Sequence, residues 1–178
     1  MKEITREVAS LQPFSAHPSY SHAENEPADF AEAAKLHGYM NNGANEGVVR
    51  VAIDVAMGAL AQSAQVRLLL MWVAAEALFG ADSEISFRIA QRIAMFLGIS
   101  PDNRKAIFKT VKAGYNLRSK VVHGMKIEGT SPEKGYAAMA DIETVLRQSL
   151  VKILSSPGLV KAFNSKKRGD FLDGLAFD

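Results

Sequence analysis

The sequence predicts an all-α protein, a helical bundle of about five to seven helices. Three observations carry that reading. Apolar residues recur at helical spacing, first at Ile85, Ile89, Ile93, Phe96 and Leu97, then at Ile142, Leu146, Leu150, Ile153 and Leu154. Ser100-Pro101 offers a capping hydroxyl followed by a proline suited to a first helical turn, Ser131-Pro132 starts a second long helix, and Gly98, Gly124 and Pro157-Gly158 are natural stops. No stretch shows the alternation of a strand with hairpin turns, and no internal repeat of solenoid period occurs.

Taken in order, residues 1–27 hold Pro13, Pro18 and Pro27 with no sustained period and read as irregular or loosely docked, or as the cut end of a longer protein. Ala28 to Tyr39 is a short amphipathic helix stopped by NNGANEG at 41–47. Val48 to Phe79 stays helical in pattern, with a bend or break expected near Gly58 to Ser63. The next helix turns its isoleucines and Phe96 inward and places Arg88, Gln91 and Arg92 on its flank, and Gly98 ends it. Ser100-Pro101 starts a helix that Gly114 is expected to kink and Gly124 to end. After a loop over 125–130, Ser131-Pro132 opens the last long helix. The tail FNSKKRGDFLDG, 163–174, reads as a further short helix or a free end. The domain limits are therefore 1–27 irregular, 28–158 helical domain and 159–178 tail.

At 178 residues, 48% hydrophobic and 22% charged, the chain can bury one sizeable core. With no cysteine it has neither disulfides nor thiolate zinc sites, as expected of a cytoplasmic protein. The most apolar run, Val66 to Phe79, contains Arg67 and Glu76 and is too short to cross a bilayer, and MKEITREVAS lacks the apolar core of a signal peptide. Neither membrane nor export is indicated. A formal net charge of +2 conceals an uneven distribution: residues 1–47 hold three basic and seven acidic side chains, whereas 101–126 hold seven basic ones against Asp102 alone. Such a segment suits a phosphate backbone, with Lys109, Lys112, Lys120 and Lys126 as candidate RNA contacts; it also suits the wet face of a helix.

Within that segment lies Tyr115 to Gly124, YNLRSKVVHG, where Arg118 and His123 stand five residues apart. A guanidinium fork holds phosphate oxygens, and an imidazole moves a proton near neutral pH. On one regular helix a spacing of five turns about 500°, leaving the two side chains roughly 140° apart. A cleft shared by two identical chains across a two-fold axis would reunite them, so a homodimer is expected. The structural alternative has His123 at a helix C-terminus and Arg118 paired with a buried acid. Glu76, alone in its apolar run, needs a cation such as Arg88, Arg92 or Arg118. Tyr115 would stack on a base or sit in the core with its hydroxyl at the rim, and Asn116 flanks the motif beside it. His17, His22 and His37 have no third ligand at metal spacing and read as surface residues. No glycine-rich phosphate loop, HExxH or nucleophile elbow occurs, so no cofactor and no metal are called for.

Together with RLLLMWVAAEALFG at 67–80, EISFRIAQRIAMFLG at 84–98 and KTVKAGYNLRSKVVHG at 109–124, the motif resembles the Apea-like branch of the HEPN superfamily. These helical domains carry an arginine, four to six residues, then a histidine, and the resemblance spans about residues 46–155. It implies a homodimer with a composite cleft and metal-independent RNA cleavage, with Arg118 and His123 catalytic, in a defence or stress response of toxin-like character. The alternative it leaves is a catalytically inactive HEPN domain acting as an RNA-binding or dimerisation module. The WxAxEAL pattern around Glu76 implies an orienting role for that carboxylate. Ser119 stands where many members have Asn, Asp or His. Met125 stands where toxins paired with nucleotidyltransferase antitoxins have a tyrosine, so that antitoxin partnership is not implied and a protein regulator is left unassigned.

Overall fold

The computed structural model describes residues 37–38, 46–127 and 131–177, and among these every regular element is helical. Seven helices are delimited: α1 Gly47–Ala59, α2 Ala64–Phe79, α3 Ile85–Leu97, α4 Pro101–Val122, α5 Pro132–Leu154, α6 Pro157–Phe163 and α7 Arg168–Gly174. The irregular segment expected over 1–27 lies outside the described residues, as does most of the helix expected over 28–39, of which His37 and Gly38 are helical.

Helix α2 is central because it is apolar nearly all round. Leu68, Met71, Trp72, Ala74, Ala75, Leu78 and Phe79 are all buried, and α1, α3, α4 and α5 pack against it. The expected interruption between α1 and α2 falls at 60–63. Helices α3 and α4 form a hairpin in which the Phe87 and Phe108 rings meet edge to face at 5.5 Å and the Arg104 side chain returns to the Gly98 carbonyl at 3.3 Å. Helix α4 starts as its sequence dictates: Ser100 Oγ accepts the Asn103 N–H at 3.2 Å and Pro101 occupies the first turn.

Expectations change at Ile85 and Arg92, and Gly114 gains a packing role. Helix α4 runs unbroken through Gly114; a Cβ there would overlap Ile142 of α5 and approach Trp72, so the glycine serves close packing of α2, α4 and α5. Ile85 is 41% exposed, since it opens α3 before the helix reaches the core. Arg92 is not on the flank: it is 5% exposed, held by Asp173 and the carbonyls of Phe79 and Gly80.

The C-terminal segment does not trail free. Phe163 is wholly buried among Phe79, Phe96 and Phe171, and Leu172 of α7 joins the same core, so the sequence boundary at 158 divides one continuous apolar cluster. Burying one such phenylalanine contributes about 1.5–3 kcal/mol. Asn164, between α6 and α7, reaches back to the start of α1. Its Oδ1 accepts the Val49 N–H at 3.1 Å and its Nδ2 donates to the Glu46 carbonyl at 3.2 Å, capping a helix whose own cap residue, Glu46, makes no side-chain hydrogen bond there. Among the described residues no helix is long and apolar enough to cross a membrane.

Candidate functional site

Helix α4 distributes the motif residues over two faces. At about 100° per residue, Lys105, Lys109, Lys112, Asn116, Ser119, Lys120 and His123 fall within an arc of roughly 100°. Lys105, Lys109, Asn116, Lys120 and His123 are exposed, and Lys112 and Ser119 half-buried, so this arc is the outward stripe. Lys112 is tied at its tip, donating to Ser86 Oγ of α3 at 3.0 Å. Arg118 lies on the other side, with the buried Val111, Gly114 and Val121 within about 60° of it.

His123 is positioned by the way α4 ends. It is the C-cap residue, its N–H bonded to the Ser119 carbonyl at 3.2 Å. Gly124 follows at φ +89°, donating to the Val121 carbonyl at 3.0 Å, while the Met125 N–H reaches the Lys120 carbonyl at 3.0 Å. That pair of bonds is a Schellman motif; it needs the left-handed residue that glycine supplies, and it sets the exposed imidazole at the corner where the chain leaves the helix. Lys126, in the following loop, is exposed as well.

Arg118 is held from below. Its Nη2 lies 3.4 Å from Glu76 Oε1 of α2, with the two side chains 29% and 31% exposed. The guanidinium carbon lies 5.4 Å from the Tyr115 ring centroid, and that ring meets Trp72 edge to face at 5.3 Å. Of the three cations considered for Glu76, Arg118 is the one that pairs with it; Arg88 and Arg92 both turn to Asp173. Tyr115 takes the packed position, half-buried against Trp72, and Asn116 points outward. Arg118, Glu76 and Tyr115 thus form one group, and His123, Asn116 and the lysines another, with Ser119 at its edge.

The Arg118 guanidinium keeps part of its donor fork toward solvent, because one 3.4 Å approach to one carboxylate oxygen leaves other N–H groups without that partner. The exposed imidazole can accept or deliver a proton at a bound phosphodiester. No family model, curated protein or solved structure matches the chain.

Sequence reasoning missed a second constellation. Asp173 accepts from Arg92 Nε at 2.8 Å and Nη2 at 3.1 Å, and from Arg88 Nη1 at 3.1 Å. The hydrogen bond from Arg92 holds the Asp173 carboxyl below the usual carboxylate range, against the opposing pull of burial. Asp173 stands 81 positions from Arg92 and 85 from Arg88, so no local spacing reveals the group.

Proposed function

We propose that this protein is a metal-independent endoribonuclease of the HEPN type, working as a homodimer and acting in defence or stress. The observation that carries the reading is the exposed His123 at the end of a stripe of exposed lysines, with the half-buried Arg118 five residues earlier on the other side of the same helix. Lysines of the stripe bind the RNA backbone and release its counterions. His123 takes the proton of a ribose 2′-hydroxyl as its oxygen attacks the adjacent phosphorus. Arg118 neutralises charge building on the non-bridging oxygens. The 5′-oxygen leaves with the proton that His123 took from the 2′-hydroxyl. The products are a 2′,3′-cyclic phosphate and a 5′-hydroxyl.

A second reading is favoured by one contact. If Glu76 ties Arg118 to the bundle permanently, and Ser119 cannot replace the polar helper that many HEPN members have, the domain is an inactive RNA-binding or dimerisation module. The deciding experiment incubates purified protein with RNA in chelator, with His123→Ala and a substrate carrying a 2′-deoxy cut site alongside. Cleavage to cyclic phosphate ends, abolished by either change, supports the enzyme. RNA retention without cleavage, or cleavage that needs magnesium and survives His123→Ala, sinks it.

A further inference from the structure

A cavity of about 670 Å³ opens between the turn after α2, the face of α3 bearing Arg88 and Arg92, and the segment running from Asn164 into α7. No α4 residue lines it, so it is separate from the surface carrying Arg118 and His123. Four cationic side chains face it: Arg88, Arg92, Lys166 and Arg168. Its three carboxylates do not answer them equally. Asp173 is engaged by Arg88 and Arg92 together, while Asp82 and Asp170 are exposed.

Arg168 is the informative residue. It takes part in none of the ion pairs among the described residues, and its hydrogen bond is a long one, 3.4 Å to the Phe163 carbonyl. Burial first, and then the neighbouring Arg92 charge, hold its guanidinium below the ordinary arginine value. Arg168 thus lines the same cavity as the buried Arg92 with no ion pair of its own, and leaves there a positive charge that an entering anion would answer. The rest of the lining is short and polar, including Gly80, Ser83 and Gly169, with no aromatic or long aliphatic side chain to favour an apolar guest. Planar forks beside a flexible ammonium suit tetrahedral oxyanions, and the volume is in the range of small-molecule sites.

We propose that this cavity binds a small phosphorylated molecule, with Arg168 and Lys166 contacting its phosphate oxygens and the Arg92–Asp173 pair forming a fixed wall. The reading stands whether or not α4 cleaves RNA.

Calorimetric titration of the full chain with sodium pyrophosphate at low salt tests it, with single-stranded RNA titrated in parallel. Saturable one-to-one pyrophosphate binding is expected. Loss of two charge-assisted contacts in Lys166→Ala/Arg168→Ala should weaken it by about tenfold or more. Lys166→Glu alone, at an exposed position, should weaken it too without touching the core, and His123→Ala should bind as the unaltered protein does. Absence of saturable pyrophosphate binding, or binding indifferent to Lys166→Glu and the double variant, overturns the proposal. So does RNA affinity that falls as far as pyrophosphate affinity in these variants, which would make the cavity part of an RNA path.

Discussion

The Glu76–Arg118 pair is where stability and activity can be separated. At 3.4 Å the gross Coulomb attraction is roughly 1 kcal/mol in bulk water and roughly 5 kcal/mol at an effective dielectric of 20. Both side chains are about a third exposed, so desolvation, ordering and screening offset most of this, and the coupling expected from a double-mutant cycle is about 0.5–1 kcal/mol. Arg118→Ala also loses the Tyr115 ring contact, adding about 0.5–1 kcal/mol, for a total near 1–2 kcal/mol. Urea unfolding is readable from Trp72, the sole tryptophan and 1% exposed. In RNA cleavage with chelator, Arg118→Ala should lower kcat by about a hundredfold or more, the scale of removing one preorganised donor to a developing charge. Glu76→Gln should lower kcat by only a few-fold, with KM unchanged, because it loosens the guanidinium without deleting it. If Arg118→Ala lowers stability by more than about 3 kcal/mol while the folded fraction cleaves at the normal rate, Arg118 is a strut and its assignment fails. A coupling of zero would show that the pair does not form in solution.

Three further outcomes follow from single contacts. Asp173→Ala should destabilise by about 2–3 kcal/mol in urea unfolding, less than for a fully buried pair because Asp173 is 44% exposed, since it strands Arg92 at 5% exposure. The folded Asp173 carboxyl titrates lower than the unfolded one at about 3.9, so this stabilisation is complete above about pH 5 and is lost as pH falls below about 4 toward the depressed value, which acid unfolding of the two proteins would show by converging curves. Gly114→Ala should cost about 1–3 kcal/mol despite better helix propensity, because the added methyl meets Ile142 and Trp72; an unchanged or raised melting temperature would contradict that packing. Lys109→Glu/Lys112→Glu should weaken RNA binding alike across sequences and flatten its salt dependence, and binding indifferent to both would reduce the stripe to a solvated face.

Much of the fold was legible because it is written locally. The Ser100 cap, Pro101 in the first turn, the Gly124 stop and the stripe from Ile142 to Leu154 each depend on residues within one or two turns, and all are where spacing put them. The packing role of Gly114 was not legible because a glycine in a helix looks the same whether it bends the chain or admits a neighbour, and the neighbour it admits, Ile142, lies 28 positions on. The same limit hid Arg92, whose partner Asp173 is 81 positions distant, and the capping of α1 by Asn164, 115 positions from Val49. At the motif, helical geometry already placed Arg118 and His123 on different sides. What it left open was which cation meets Glu76, since Arg88, Arg92 and Arg118 were all candidates until α2 and α4 were packed together.

That angular separation makes a dimer a chemical requirement of the proposed reaction, and complementation tests it directly. Arg118 leans toward α2 while His123 leaves the helix on the outward stripe, so within one chain the fork and the base do not face one phosphodiester. If two chains meet across a two-fold axis along α4, each cleft draws Arg118 from one chain and His123 from the other. Arg118→Ala and His123→Ala proteins would then each be inactive alone. Mixed and allowed to exchange subunits, half of the dimers would be hetero-dimers in which one cleft has lost both groups and the other keeps both, so about a quarter of the unaltered activity should return. If both groups acted from the same chain, every cleft in the mixture would lack one of them and nothing would return. Light scattering, with fluorescence transfer between labelled variants, establishes that exchange has occurred. Exchange without recovered cleavage would refute the shared cleft, and a protein that stays monomeric at micromolar concentration would refute the dimer on which it depends.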